Sequence, residues 1–441
     1  MGNAREQTKV WIAAVVATSG AAALLCSVQD PEQARALALA FVYLVLALSE
    51  LVAPFVPTLF LLVATPLALA PLSNRYQLST VLTWAADPVI ALFAAGFALG
   101  LAAQRHQVDI ALASRLVRWG GGSQRRLVAL VLLAAAGTSM WMSNVAAASL
   151  LLAALGPLLA ADIPQGFRKG LLLAVAMGAN LGGMATPIGS GPNAIAIAAT
   201  RISFLEWMSF GVPIVLGMVM LALGALLTRY RLRGPYEIVL AANASIPRTG
   251  RLLLVFFSLT IVAWLSEPIH GASAPTVGLA LMLALFASGL LNKRDLGDLD
   301  WSTLGLIAGG LTLGRLLEST GLLGTLSSAL DLGGTPRWLW LGSFVFASAI
   351  LSALMSNTAT AALLIPLGMQ LDPSPSTAVI IAVATSFGMP FPISTPPNAM
   401  VYGTGKLSVR ELLHIGLPLM IIGCAVVTLS GAWFLGQLGI R

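Results

Sequence analysis

The sequence predicts an all-α polytopic membrane protein built as an inverted repeat, and three observations lead to this fold class. Hydrophobic residues make up 58% of the 441 residues and charged residues only 9%, whereas soluble domains carry about 25% charge. Apolar stretches recur at lengths near the roughly 20 residues that a helix needs to cross a bilayer. Met-Ser-Asn occurs at 142–144 and again at 355–357, and each copy precedes an apolar segment interrupted by Gly and Pro.

Hydropathy predicts about eleven membrane spans joined by short loops. In chain order they cover residues 11–28, 36–53, 57–72, 87–104, 170–199, 207–228, 251–266, 275–291, 301–317, 376–402 and 413–437. Two further apolar stretches, 127–160 and 337–369, contain the Met-Ser-Asn motifs, and each could form two crossings or one re-entrant hairpin. The basic segment 105–126 is expected to lie along the membrane surface as an amphipathic helix.

The distribution of basic residues decides between these alternatives, because Lys and Arg concentrate in cytoplasmic loops. The flanks of 127–160 contain Arg105, Arg115, Arg118, Arg125, Arg126, Arg168 and Lys169. The flanks of 337–369 carry no net positive charge. We therefore predict two re-entrant hairpins, the first opening to the cytoplasm and the second to the outside. The chain is expected in the inner (plasma) membrane with its N-terminus inside and its C-terminus outside, and the net charge of +7 is assigned to orientation, not to nucleic-acid binding.

Three pairs of segments indicate an internal repeat. The Met-Ser-Asn copies are 213 residues apart, the Pro-Asn-Ala copies at 192–194 and 397–399 are 205 apart, and Gly-rich segments near 96 and 310 are 214 apart. The predicted units are a first helix and loop (1–35), repeat one (36–233), a cytoplasmic linker (234–250) and repeat two (251–441). Each unit has an odd number of crossings, so the second enters the membrane from the opposite side. Inverted repeats with interrupted helices are typical of secondary transporters.

The interrupted helices provide the chemistry expected of a binding site. Pro187, Gly189 and Pro192 break the segment 170–199, and several prolines break 376–402. Freed carbonyl groups can coordinate Na⁺, and helix N-termini offer N–H groups to an anion. No Asp, Glu, Lys or Arg occurs in 127–160, 170–200 or 376–405. Because proton coupling usually needs an ionisable group in the membrane, this absence favours Na⁺.

The Ser-Asn tips add neutral oxygen ligands and donors. Ser139 precedes Ser143 by four residues, and Ser352 precedes Ser356 by four. On a helix this spacing places both hydroxyls on one face, and we expect each pair to act together as ion ligands.

The motifs at 139–144, 355–360 and 394–399 resemble the divalent-anion/sodium symporter family of solute carriers, and the similarity extends over about residues 36–435. The resemblance implies a homodimeric elevator carrier that moves a dicarboxylate, tricarboxylate or sulfate-like anion. The implied sodium ligands are Ser139, Ser143, Asn144, Gly189, Ser352, Ser356, Asn357 and Ser394. The implied substrate contacts are Ser143, Asn144, Ser356, Asn357, Thr358, Thr395 and Pro396.

The chain departs from the family pattern at three places. Val145 replaces a Thr, Ser190-Gly191-Pro192 stands where Thr-Pro-Pro is common, and Ser394 stands where Ala is common. These departures concern the substrate range more than the use of sodium.

The functional prediction is sodium-coupled symport of a small divalent anion, with no cofactor besides the coupling ions. An anion exchanger or a cation/anion antiporter of the same superfamily is the first alternative, and a membrane-embedded enzyme or receptor is the second. No His/Asp/Glu constellation indicates catalysis, so we predict that the protein is not an enzyme. Glu50 is assigned a structural role over ion coupling, and Gly96/Gly100 and Gly310/Gly314 are assigned to close helix packing.

Overall fold

The computed structural model describes residues 15–26, 28–49, 52–230, 232, 234–236, 246–329 and 335–440. Glu50 and most of the predicted linker lie outside these residues. The described part is helical, and its only β-type pairing is an isolated bridge between Ser123 and Pro235. This confirms the predicted all-α class.

The N-terminal part of the fold contains helices α1 to α11. Their bounds are α1 Val15–Cys26, α2 Pro31–Ser49, α3 Val56–Leu69, α4 Leu78–Ala85, α5 Val89–Arg105, α6 Val108–Gly120, α7 Gln124–Ser139, α8 Asn144–Ala160, α9 Gln165–Gly182, α10 Gly191–Thr200 and α11 Phe204–Tyr230. A short 3₁₀ turn, Asn74–Tyr76, precedes α4.

The C-terminal part contains helices α12 to α23. Their bounds are α12 Arg248–Leu265, α13 Glu267–His270, α14 Ala274–Ala287, α15 Lys293–Gly297, α16 Trp301–Ser319, α17 Leu322–Ala329, α18 Arg337–Leu354, α19 Asn357–Leu371, α20 Pro375–Ser386, α21 Pro396–Gly403, α22 Val409–Val426 and α23 Ala432–Gln437. A π-helical segment, Val427–Gly431, joins the last two.

Every predicted span corresponds to a helix or to a broken pair of helices. Four helices of the described part are long and apolar enough to cross a bilayer alone, namely α11, α12, α18 and the continuous run Val409–Gln437. The pair α4–α5, bent by 45°, makes a fifth. The other apolar helices are shorter, so the number of crossings stays a prediction. The short helices α4, α13, α15 and α17 were not predicted.

The same order of elements occurs twice along the chain. A pair of helices joined by a tight turn (α7–α8, then α18–α19) is followed by a broken helix (α9–α10, then α20–α21) and by a long apolar helix (α11, then α22). The largest hydrophobic cluster draws its buried side chains mainly from these elements. Separate clusters form among α2, α3, α5, α12, α14 and α16.

The glycine pairs predicted to pack closely lie where α5 and α16 meet the repeated elements. A Cβ atom placed on Gly96 would lie 3.5 Å from Ile188, and one on Gly100 would lie 3.0 Å from Met142. On α16, the corresponding distances are 2.9 Å from Gly310 to Ala362 and 3.2 Å from Gly314 to Pro366. At Gly96 a methyl group would make an ordinary van der Waals contact, whereas at the other three glycines it would lie closer to its neighbour than side chains normally do. The packing role predicted for Gly100, Gly310 and Gly314 is therefore consistent with their contacts.

Candidate ion and substrate site

The first tip is a turn between two helices. Helix α7 ends at Ser139 and α8 begins at Asn144. Ser143 has extended backbone angles and its hydroxyl accepts a hydrogen bond from the Ala146 amide at 3.2 Å, so it is the N-cap of α8. The second tip repeats this plan, with α18 ending at Leu354 and α19 beginning after Ser356.

The expectation that serines four residues apart share one helix face is wrong, because a helix ends inside each motif. Ser139 and Ser143 are separated by the end of α7, and Ser352 and Ser356 by the end of α18, so neither pair shares a helix face. Instead the Asn144 side chain and the Ser139 hydroxyl are hydrogen-bonded across the turn at 2.7 Å, with the Asn144 N–H as the donor when the Ser139 hydroxyl donates to Ala179. At the second tip the Ser352 hydroxyl donates to the Asn357 amide oxygen at 2.6 Å. The relevant spacing is therefore five residues, across the turn, because the serine N-cap starts a new helix inside the motif.

The first tip meets the first helix break in a cluster of oxygen atoms. The Ser139 hydroxyl, which is fully buried, lies 2.6 Å from the Ala179 carbonyl oxygen. The amide atom of Asn144 that faces Ser139 also lies 3.2 Å from the carbonyl oxygens of Ala179 and Gly189. In one orientation, the Asn144 side-chain NH₂ group donates hydrogen bonds to these oxygens. In the other orientation, the Asn144 side-chain oxygen joins those of Ser139, Ala179 and Gly189, which makes four neutral oxygen ligands of the type that a hard cation prefers.

A buried asparagine side chain donates hydrogen bonds to backbone carbonyl groups at each helix break and so braces the break. The Asn193 amide donates to the carbonyl oxygens of Gly183 at 2.9 Å and Thr186 at 2.7 Å, and Ser190 donates to its oxygen at 2.9 Å. Asn193 is completely buried. These bonds satisfy carbonyl groups that the interrupted helix no longer uses.

The second break is braced in the same way by a fully buried asparagine. The Asn398 amide donates to Met389 and Phe391, both at 2.9 Å. Its oxygen accepts a hydrogen bond at 2.9 Å from the buried amide of Asn180 on α9, which links the two breaks directly. Both braces lie in the repeated Pro-Asn-Ala sequence, which was used only to detect the repeat. Their recurrence in a broken apolar segment was the signal that could have identified them.

The second tip meets the second break through Ser394. The Ser394 hydroxyl donates to the Ala353 carbonyl oxygen at 2.8 Å and accepts from the Phe391 amide at 3.0 Å. Ser352, next in sequence to Ala353, is fully buried. The structure therefore brings Ser352, Asn357 and Ser394 together at this tip. At the first tip it brings together Ser139, Asn144, Gly189 and the unpredicted Ala179 carbonyl.

The predicted substrate residues occupy two environments. Thr358 is buried and lies against the backbone of Gly191, too close for any side chain at that glycine. Thr395 is the N-cap of α21, and its hydroxyl accepts a hydrogen bond from the backbone N–H of Asn398 at 3.4 Å. Pro396, the next residue, is exposed. Ser143, Asn144, Ser356 and Asn357 are half-buried. Helix α10 packs on α19, and α21 packs on α8, so each hairpin contacts the broken helix of the other repeat.

An aromatic cluster packs the first tip against α12 and the start of α11. The Trp141 ring is stacked parallel to Trp264 with centroids 6.2 Å apart, and Phe204 is stacked on Trp264 at 4.7 Å. Phe257 meets Trp141 edge-on at 5.4 Å. The Trp264 indole N–H donates to the Ala274 carbonyl oxygen at 3.0 Å. Sequence reasoning missed this cluster, because its members are distant in the chain.

The comparisons with known proteins agree with this architecture. A family model described as "Citrate transporter" (CitMHS) matches residues 43–386. An uncharacterized transporter of Methanocaldococcus jannaschii is 32% identical over 347 residues, which cover 76% of this chain and 79% of the relative. The sodium-dependent dicarboxylate transporter SdcS of Staphylococcus saprophyticus is 26% identical over 416 residues, covering 82% of this chain and 80% of SdcS.

The fold resembles that of a transporter of known structure. The YdaH transporter of Alcanivorax borkumensis superposes with a TM-score of 0.58 at 17% sequence identity, covering 87% of this chain and 98% of that one. The chain therefore has a membrane transporter fold.

Proposed function

Because this chain belongs to the citrate transporter family and is a transporter, not an enzyme, we propose that it couples the entry of Na⁺ to the uptake of a small divalent anion. Its resemblance to the divalent-anion/sodium symporters is confirmed by the similarity to a sodium-dependent dicarboxylate transporter. The proposed substrates are a dicarboxylate or tricarboxylate such as succinate, or a sulfate-like anion.

The observation that carries the proposal is the oxygen cluster at the first tip. Ser139 and Ala179 contribute oxygens from two helices, Gly189 contributes one from the break, and Asn144 supplies an amide that can present its oxygen to a cation. The ligands are neutral, so a monovalent cation of modest hydration energy suits them better than a divalent one. Na⁺ binding would turn the Asn144 amide and fix the tip against the break.

A second sodium site is proposed at the other tip, where Ser352, Asn357 and Ser394 converge. Ser143 and Ser356, the N-cap residues of α8 and α19, are proposed to support the two sodium sites by fixing the turn at each tip. With both ions bound, the two tips would present hydroxyl, amide and N–H groups to an anion between them. Coupling follows because the same tip residues hold the ion and the substrate.

Movement of the site across the membrane is proposed to occur by alternating access. The repeated elements would form a unit that moves against α5 and α16, the helices that carry the closely packed glycines, as an inverted-repeat elevator carrier. A homodimer in the inner membrane, with the N-terminus inside and the C-terminus outside, completes the proposal.

Uptake by the purified protein in proteoliposomes tests this function. Labelled succinate and sulfate are supplied with or without an inward Na⁺ gradient, and we expect uptake to require the gradient. Asn144→Ala and Asn357→Ala should each abolish the stimulation by Na⁺, since each removes an amide that bonds a buried hydroxyl. Ser149→Ala, an exposed position on α8, is the matched control and should behave as the wild type.

Two results would contradict the proposal. Uptake that depends only on counter-substrate inside the vesicle, with no effect of Na⁺, would identify an exchanger. Unchanged sodium dependence in both asparagine variants would refute the sodium sites.

A further inference from the structure

A cavity of about 300 Å³ lies beside the first tip, separate from the oxygen cluster. One side of its wall comes from the first hairpin and includes Gly137 of α7 together with Trp141 and Met142 of the tip. The other side comes from α5, α6 and α12, with Leu99 and Phe257 among the lining residues. The cavity therefore lies between the first hairpin and three helices that face it.

The wall of this cavity is apolar apart from one charged side chain. Arg115 of α6 is the only charged residue that lines it in the described part of the chain, where Arg115 has no ion pair or hydrogen-bond partner. The Thr138 hydroxyl also lines the cavity, but it already donates to the Ala134 carbonyl oxygen at 2.8 Å. An apolar space beside one unpaired cation suits an amphipathic anion. A small dicarboxylate held by Arg115 would gain nothing from the apolar walls.

Helix α6 places Arg115 on a face that suits the surface of a bilayer. Arg115, Arg118 and Trp119 follow one another at spacings of three and four residues, so they share one face of the helix. Both arginines are exposed, and Trp119 is 60% exposed. Exposed arginines with a tryptophan are typical of helices that lie at the membrane interface, as the sequence predicts for 105–126. The anions that reach Arg115 at such a surface are lipid headgroups.

We propose that the cavity binds one acyl chain of an anionic phospholipid, whose headgroup is held by Arg115. A volume of about 300 Å³ is at the lower end of the range for small-molecule sites, so the cavity holds part of one chain and not a whole lipid. Each methylene group that leaves water for the apolar wall adds to the binding, and the headgroup phosphate accepts hydrogen bonds from the guanidinium. This binding does not depend on the proposed function.

A lipid chain in this cavity contacts the first tip and the facing helices at the same time. Trp141 and Met142 belong to the tip, whereas Leu99 lies on α5 and Phe257 lies on α12. Because these contacts exist together only while the tip stays against α5 and α12, the lipid stabilises this arrangement over any other. This regulatory part rests on the proposed function. If the first hairpin moves during transport, the bound lipid slows uptake.

Lipid binding is measured on the purified protein in a neutral detergent, as thermal stabilisation by dioleoylphosphatidylglycerol or by the zwitterionic dioleoylphosphatidylcholine. We expect the anionic lipid to reach half of its maximal effect at a concentration about fivefold lower, the contribution of one arginine near the headgroup. Arg115→Gln should remove this difference. The control Arg410→Gln, at an exposed position near the start of α22 and outside the cavity wall, should keep it. Equal affinity of the wild type for the two lipids would overturn the proposal.

A cavity-filling variant tests the acyl-chain site without a change of charge. Gly137 lines the cavity, and a Cβ atom placed on it meets no atom within 4 Å, so the side chain introduced by Gly137→Leu has room to occupy the cavity. The half-stabilising concentration of phosphatidylglycerol should rise about tenfold or more, because exclusion of two methylene groups already has this effect. Gly217→Leu on α11, where a Cβ atom also meets open space, is the matched control and should bind lipid like the wild type.

The two lining variants decide the site together. If Gly137→Leu and Arg115→Gln both bind phosphatidylglycerol like the wild type, the site is refuted. Should Gly137→Leu fail to fold, Arg115→Gln against Arg410→Gln decides alone.

Uptake in proteoliposomes tests the regulatory part. In vesicles of equal parts phosphatidylcholine and phosphatidylglycerol, Na⁺-driven uptake by the wild type should be up to about tenfold slower than in phosphatidylcholine alone, the shift caused by a ligand at about ten times its half-saturating concentration. Gly137→Leu should remove this difference and Gly217→Leu should keep it, and neither alters the charge at the vesicle surface. Equal or faster uptake by the wild type with phosphatidylglycerol would overturn the regulatory part. If no anion enters with Na⁺, the proposed function fails, and the thermal measurements still decide the lipid site.

Discussion

Replacement of Asn398 by alanine is expected to destabilise the protein far more than replacement of its partner Asn180. Asn398, which is fully buried, makes three hydrogen bonds, donating to Met389 and Phe391 and accepting from Asn180, each 2.9 Å long. Each such bond contributes about 1 kcal/mol net, and each buried polar group left without a partner costs about 1–3 kcal/mol. Asn398→Ala should therefore lower the free energy of unfolding by about 3–6 kcal/mol.

The Asn180 substitution has a smaller expected effect for a structural reason. Its amide oxygen is already buried without a hydrogen-bond partner, so alanine removes one favourable bond and leaves the Asn398 oxygen unpaired, but it also removes an unfavourable buried group that offsets this second cost. The net change should be about 1 kcal/mol or less. When Asn180 is already alanine, Asn398→Ala removes two hydrogen bonds instead of three and leaves no Asn180 amide without a partner. The two substitutions should therefore be coupled by about 1–3 kcal/mol.

A double-mutant cycle measures this coupling. The free energy of unfolding is obtained for the wild type, both single variants and the double variant by denaturant titration in mixed micelles. Sodium titration of uptake is run on the same four proteins, and Asn398→Ala should raise the Na⁺ concentration for half-maximal uptake. Equal destabilisation by both single variants, or coupling below about 0.5 kcal/mol, would refute the link between the two helix breaks.

Two further predictions concern the tips. In Gly388→Ala the new methyl group would lie 2.7 Å from the Ala353 amide nitrogen and 2.8 Å from the Ala349 oxygen, so the backbone must move and the free energy of unfolding should fall by about 1–3 kcal/mol. The control Gly403→Ala, whose methyl group meets open space, should be neutral in the same thermal unfolding assay. Equal behaviour of the two variants would contradict the packing at Gly388. Ser143→Ala removes the N-cap of α8 and should cost about 1 kcal/mol, seen as faster hydrogen exchange in the first turn of α8, whereas Ser149→Ala should leave exchange there unchanged.

The elements were predictable because local composition determines them. Apolar length located the spans, and the Pro-Gly clusters located both breaks, since proline removes donors whatever surrounds it. The short helices α13 and α15 escaped prediction because segments of four and five residues have no detectable periodicity. Their formation depends on caps and on packing against longer helices.

The interior of the site was less predictable. The spacing of Ser139 and Ser143 suggests one helix face, but this holds only if the helix continues, and the capping serine ends that continuity. The Ala179 oxygen in the first-tip cluster belongs to a backbone carbonyl, which no residue type reveals. The stacking of Trp141 on Trp264 joins residues 123 positions apart in the sequence, so it follows from the tertiary fold alone.

The two repeats are alike in the hydrogen bonds that hold the tips and the helix breaks, and they differ at residues proposed to lie near the anion. A hydrogen bond between a serine and an asparagine closes each tip, Ser139 with Asn144 and Ser352 with Asn357, and a buried asparagine bonds across both breaks. By contrast, Val145 stands opposite Thr358 in the repeat, and Pro396 stands opposite Gly191. Under the proposed function, the duplicated frame would hold two ions in similar ways, because each ion needs only nearby oxygens from its own tip and break. An anion between the tips would meet the residues that differ, so the two repeats would contribute unequally to its selection.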